Sequence, residues 1–241
     1  MIALEGRLRS AGAAEAAAIR AHLPAHVALS RAEPGCLRFD LTEAAPGVWQ
    51  VEELFRDARA FAAHQRRTQA SPWGRATAGI ARDFTRRDVA PTIRAEEPPD
   101  AAALTRLLDA AFGGAAESRI LAALRRDGDL ALSLVADAAG VALGHVALSP
   151  LAGDLPSALA LGPLAVVPKA QRAGIGSALV RAALARVGDA VVVVVGEPAF
   201  YTRFGFRPVP GWASPYAGPY LLARGPDLPA RARIVHAAAF G

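Results

Sequence analysis

A single cysteine, Cys36, stands in a chain of 241 residues, which excludes an internal disulfide framework and any zinc site built from thiolates. A lone thiol fits a reducing compartment, and Cys36 reads as a small buried apolar side chain rather than a nucleophile. No metal site is expected. Lysine is almost missing: Lys169 is the only one among 27 cationic residues, set against 22 acids. The arginines are spread along the chain, leaving +3 before Ala90 and +2 after it. With no basic block in either half, the net charge of +5 reflects an alanine- and arginine-rich composition and predicts no nucleic-acid partner. Long apolar runs are lacking too. Hydrophobic residues make up 53% of the chain, yet no run approaches the ~20 residues of a membrane span, so no membrane partner is expected. The stretch Met1 to Arg7 contains Glu5 and has no basic start leading into an apolar segment, so no signal peptide is predicted and the expected location is the cytoplasm.

What is present divides at Arg86-Arg87-Asp88-Val89-Ala90-Pro91, where a charged segment ends and a proline precedes strand-like Thr92-Ile93-Arg94. The length favours two domains, expected at 1–88 and 91–241. Before the seam the pattern predicts a strand (2–8), an alanine-rich helix (13–29), strands at 37–41 and 48–55, a helix (58–69) capped by Asp57, and a last strand within 75–84. That β-α-β-β-α-β order is ferredoxin-like. Its sheet has one face covered by helices, so dimerisation or packing against the second domain is expected to cover the other.

After the seam, helices are predicted at 100–112, opening with Asp100 as a cap, and at 117–126. Strands follow at 132–136, 141–148 and 158–167, then a glycine loop, a helix over 175–187 and a strand at 191–195. The unbroken valines of that last strand predict burial on both faces.

The loop Gln171-Arg172-Ala173-Gly174-Ile175-Gly176 lies between a strand and a helix. Its glycines admit close backbone approach, and free amides at a helix amino terminus attract a pyrophosphate. Arg172 adds a formal charge. A dinucleotide fold would need a first strand entering G-x-G-x-x-G near the domain start, and a P-loop would need Gly-Lys-Ser/Thr; neither is present.

With Leu161-Gly162-Pro163-Leu164-Ala165-Val166-Val167-Pro168 as central strand, the Gln171 to Gly176 loop, and Glu197-Pro198-Ala199-Phe200-Tyr201-Thr202-Arg203-Phe204-Gly205-Phe206 after it, residues 91–241 resemble the GNAT acetyltransferase superfamily. The resemblance implies an α+β fold with a mixed sheet and acetyl-CoA as cosubstrate. It implies that backbone groups of Leu164 and Val166 meet the pantetheine arm, that amides from Arg172 through Ala173, Gly174, Ile175 and Gly176 to Ser177 hold the pyrophosphate, and that Tyr201 protonates the departing thiolate. The amide of Val166 would serve as oxyanion donor. The acceptor is a small-molecule or peptide amine. For a general base the candidates are Glu117, in the first turn of its helix, and His145, on a strand beside the cleft strand; His145 reads as structural, and some family members use water chains instead. Trp212, Tyr216 and Tyr220 fall in a Gly/Pro-rich stretch that forms either a rim of the acceptor pocket or its own small core.

Residues 1–87 resemble the antibiotic-biosynthesis monooxygenase family, a dimeric ferredoxin-like family, through Glu33-Pro34-Gly35-Cys36-Leu37-Arg38-Phe39 and Glu52 to His64. Members oxidise quinol-like or anthrone substrates without metal or flavin, or degrade haem; His64, Trp49 and Trp73 are the residues to look for around a pocket. The sequence therefore reads as an acetyl-CoA-dependent N-acetyltransferase with an amino-terminal dimerisation or small-ligand domain. The alternative is a cofactor-independent monooxygenase carrying a non-catalytic or CoA-sensing acetyltransferase fold.

Overall fold

The computed structural model describes residues 1–241, in two compact units: Met1–Pro91 with Ala138–Val141, and Thr92–Asp137 with Ala142–Gly241. In the first, β1 (Ile2–Arg9), α1 (Ala13–Ala32), β2 (Cys36–Ala45), β3 (Val48–Phe55), α2 (Ala58–Ala70), α3 (Pro72–Ala76) and β4 (Ala81–Asp88) follow in order. The four strands form an antiparallel sheet in the order β2-β3-β1-β4. Alternation decides its faces: Trp49, Val51 and Phe55 of β3 join Ile2, Leu8, Ile19 and Phe39 in the core. Asp57 caps α2 through a 2.7 Å bond from the amide of Ala60.

The structure sharpens two expectations for this unit. The last strand begins inside its predicted window, at Ala81, and runs on to Asp88, while Ser71 accepts from the amide of Gly74 and caps the short α3 that precedes it. The sheet face away from the helices carries ion pairs of Glu5 with Arg87 and of Arg38 with Asp40 and Glu52, and the apolar Ala3 and Leu54 on that face are buried.

The second unit comprises β5 (Thr92–Ala95), α4 (Ala101–Phe112), α5 (Ala116–Asp127), β6 (Leu132–Ala138), β7 (Val141–Pro150), β8 (Ala152–Gly153), β9 (Leu159–Val166), α6 (Ile175–Val187), β10 (Val192–Val195), α7 (Pro198–Tyr201), β11 (Arg207–Pro208), β12 (Leu221–Arg224) and β13 (Ile234–Val235). Seven strands form a mixed sheet ordered β11-β12-β10-β9-β7-β6-β5, and β13 pairs with β8. Leu104, Leu107, Leu108 and Leu121 bury one helix face each of α4 and α5 against the sheet. Asp100 does not cap α4; its carboxylate pairs with Arg94 at 2.6 and 2.8 Å and accepts from the amide of Glu97. The valine strand is buried only in part, since Val195 at its end is 46% exposed. That exposure marks where β10 leaves its neighbour.

Candidate functional site

Strands β9 and β10 run parallel but pair only at Leu159 and Ala160 against Val192 and Val193. Beyond Ala160 they part. On its other edge β9 stays paired with β7, with one irregularity where Val146 faces Leu164 and Leu148 faces Leu161. The amide of Val167 donates to Leu143 across that ladder at 2.9 Å. Because successive backbone groups of a strand alternate in direction, the amides of Leu164 and Val166 point the other way, into the gap left by β10.

The chain then turns through Pro168–Ala170 into the glycine loop and α6. Arg172 has φ 64° and Gly174 φ 84°. Left-handed backbone at Gly174 is where glycine is needed, since a Cβ would strain it. None of the amides from Arg172 to Ser177 donates to an acceptor within the chain. They therefore form an anion-seeking cluster at the positive end of a 13-residue helix. The side chain of Gln171 closes the turn by donating to the carbonyl of Val166 at 3.2 Å.

Tyr201, at the end of α7, reaches the same place. Gly196 makes room for it: a Cβ there would lie 2.4 Å from the ring. Phe200 and Phe206 hold the phenol edge-on at 4.9 and 5.6 Å. Tyr201 is 8% exposed, and burial pushes its pKa up to about 12, so the hydroxyl keeps its proton at any physiological pH. A cavity of about 630 Å³ collects Leu164, Val166, the loop, the first turn of α6 and Tyr201. Its residues suit a long anionic ligand with an acyl end: free amides and Arg172 at one end, open strand edge and a phenol at the other.

Arg203 also lines this cavity, lying 4.7 Å over the Phe200 ring with its guanidinium 3.3 Å from Ser177 Oγ. Sequence reading missed it; a cation two residues after the tyrosine was the available signal. Glu117 lines neither this cavity nor a second, of about 230 Å³, next along β9, although Ile120, one turn further along α5, does line the second. His145 is fully buried and lines neither. Its Nε2 sits 2.8 Å from Ser133 Oγ and 3.6 Å from Glu96, which pairs with Arg125. Burial lowers its pKa despite Glu96, and its role is to tie β7 to β6. Trp212 is core, its indole donating to Pro229 at 2.9 Å; Tyr220 is exposed, and only Tyr216 of the three loop aromatics reaches a cavity.

Comparison with known proteins accords with this layout. Residues 129–208 match the acetyltransferase (GNAT) domain model. The N-acetyltransferase YhbS of Escherichia coli is 41% identical over 121 residues, covering 48% of this chain and 72% of that protein. The chain belongs to the GNAT acetyltransferase family. Two solved GNAT structures are similar to it: one from Brucella melitensis in complex with acetyl-CoA, 35% identical with TM-score 0.55 over 63% of this chain and 99% of that one; and YhbS from Escherichia coli in complex with CoA, 30% identical with TM-score 0.55 over 61% and 91%.

The amino-terminal unit of this GNAT acetyltransferase matches the antibiotic biosynthesis monooxygenase model over residues 1–74. It holds a cavity of about 370 Å³ lined by His64 and Trp73, as anticipated, and also by His26, Glu53 and Arg82. Trp49 is instead packed in the core, and Cys36 is buried there as expected. His26 stacks flat on Trp73 at 4.5 Å. His64 Nδ1 meets Glu33 at 2.9 Å, and Arg67 ties Glu33, Ser30 and His26 together. Glu53 is 8% exposed and its Oε2 has no partner; burial, then the Glu33 charge, push its carboxyl up to about 8. The overlooked signal for Glu53 was register: it shares a face with Trp49, Val51 and Phe55, an acid placed on the core side of a strand.

Proposed function

We propose that this GNAT acetyltransferase transfers the acetyl group of acetyl-CoA to the nitrogen of an amine in the cleft between β9 and β10. Its cosubstrate is acetyl-CoA. The observation that carries the reading is the meeting of six free loop amides, an open strand edge and a protonated phenol in one cavity. When bound, acetyl-CoA supplies the thioester carbonyl that the amine attacks. The amides of Arg172 to Ser177, with Arg172 and Arg203, hold the pyrophosphate. The edge of Leu164 and Val166 aligns the pantetheine arm, and the Val166 amide receives the carbonyl oxygen as it gains charge. As the C–N bond forms and the C–S bond breaks, the amine loses a proton and Tyr201 gives one to the sulfur. Burial keeps the Tyr201 hydroxyl protonated, so the proton is in place when the sulfur leaves. Glu117, the other candidate base, lines neither cavity and is given no role in the step.

Acetyl-CoA at a hundredfold excess over its dissociation constant is expected to stabilise the chain by about 2.7 kcal/mol, read as a thermal shift. Tyr201→Phe is expected to retain that shift and to lose 10- to 100-fold in kcat, with the alkaline side of the pH profile altered. Unchanged turnover across pH would remove the acid role, and no shift with millimolar acetyl-CoA would remove the cofactor reading.

The amino-terminal unit is proposed to pair two chains and to hold a small ligand around Glu53, His64 and Trp73. Its outer sheet face carries the ion pairs of Glu5 with Arg87 and of Arg38 with Glu52, which can be presented to a second copy. Sedimentation equilibrium should give twice the 24.9 kDa chain mass; the chain mass at micromolar concentration would sink the pairing.

A further inference from the structure

The cavity of about 230 Å³ opens where β9 and β10 part: Leu161 and Gly162 come from one strand, Val194 and Val195 from the other. Leu164, which lines the cofactor cavity, is two residues beyond Gly162 along β9, or roughly 7 Å at the rise of a strand. The two cavities thus share a wall at the point where the proposed acyl end of the cofactor lies.

The smaller cavity is hydrocarbon on most sides, from Ile120, Leu161 and Val193, Val194 and Val195 of β10. Its far side is aromatic. Tyr216 and Phe240 stand edge-on to His236 at 4.9 and 5.8 Å. The Tyr216 hydroxyl is committed, donating to the carbonyl of Phe240 at 2.7 Å. That leaves His236 as the one proton acceptor in the lining, and its Nδ1 is buried with no partner. Tyr216 is the only other ionisable group in the lining, so burial acts unopposed and lowers the imidazole below its ordinary value, keeping it neutral and basic at neutral pH.

Resting on the acetyltransferase reading above, we infer that this cavity is the acceptor site, that it takes a small primary amine with an apolar, ring-sized body, and that His236 receives the proton the amine sheds on attack. Size and polarity both select this class. A cavity of about 150 Å³ holds a benzene ring, so this one takes a ring with a short arm. A polyamine or a polar peptide end would leave its further donors and charges facing hydrocarbon, where they have no partner. The balance of the step is complete: the amine nitrogen bonds the acyl carbon, its proton passes to His236, and the sulfur leaves with the proton from Tyr201.

The test uses the full chain, acetyl-CoA and two probe amines, 2-phenylethylamine and spermidine, with CoA release as readout. The kcat/KM for 2-phenylethylamine is expected to exceed that for spermidine at least tenfold. His236→Gln is expected to lower kcat about a hundredfold and to abolish the acidic limb of the pH profile, which in the parent lies below pH 6.5, while acetyl-CoA still produces its thermal shift. Val195→Phe, placed at an exposed strand end where a larger side chain does not disturb the core, is expected to raise KM for 2-phenylethylamine at least tenfold. A preference for spermidine, an unaltered pH profile in His236→Gln, or an unaltered KM in Val195→Phe overturns the inference while the thermal shift keeps the cofactor reading standing. Loss of the shift in the parent chain overturns both.

Discussion

Gly176→Phe is expected to fold and to lose at least a hundredfold in affinity for acetyl-CoA, about 2.7 kcal/mol. Gly176 lies in the first turn of α6, and a Cβ built there meets Val166 Cγ2 at 3.6 Å and Phe200 Cζ at 3.7 Å, which is ordinary contact. The backbone there is helical, and the position is half-buried and not core, so folding is not at stake. Both contact residues are walls of the 630 Å³ cavity, so a phenyl ring grown from that Cβ occupies the passage between β9 and α7. Gly176→Ala, by contrast, is expected to bind within a fewfold of the parent. Calorimetric titration with acetyl-CoA checks both variants, and a Gly176→Phe dissociation constant within threefold of the parent would place the pyrophosphate elsewhere.

Glu53→Gln is expected to stabilise the amino-terminal unit in alkaline solution and to leave it unchanged in acid. Glu53 is ionised in the unfolded chain above about pH 4.5, whereas in the folded unit its carboxyl holds its proton up to about pH 8. A raised folded-state value means that the stability present below pH 4.5 is lost as pH climbs through that window, and it stays lost above pH 8. A shift from 4.5 to about 8 corresponds to a loss on the order of 5 kcal/mol at 1.36 kcal/mol per unit. Glutamine has no charge to desolvate, so the variant escapes the loss. Urea titrations at pH 4 and pH 9, followed through Trp49 and Trp73, should coincide at the lower pH and separate by several kcal/mol at the higher. Parallel pH dependence in the two proteins would show that Glu53 is solvated. The unpartnered acid facing His64 across 3.9 Å is a feature that folding alone does not favour, which supports its retention for a ligand.

Local pattern was enough to anticipate most elements. The Ile175–Val187 helix has Ile175, Leu179, Val180, Ala183 and Leu184 on one face, a spacing visible without coordinates. The weak points were short-range competitions. At Ser71 a capping hydroxyl opens a short helix that the pattern did not show, and at Asp100 the carboxylate meets Arg94 of β5 instead of capping its own helix.

By itself the sequence determined that a glycine loop opens α6, that Tyr201 follows about thirty residues later, and which two families the halves resemble, because these are matters of residue type at fixed spacing along the chain. Tertiary structure alone decided that β9 and β10 part after Ala160, that Arg203 joins the loop, that Glu53 faces a cavity, and that His145 is locked away while His236 lines the cavity beside β9 and β10. Those outcomes depend on which strands pair, where pairing stops, and what a side chain meets across the fold. His236 lies 75 residues after Leu161 in the chain, and the two line one cavity in space, a juxtaposition that no local pattern encodes.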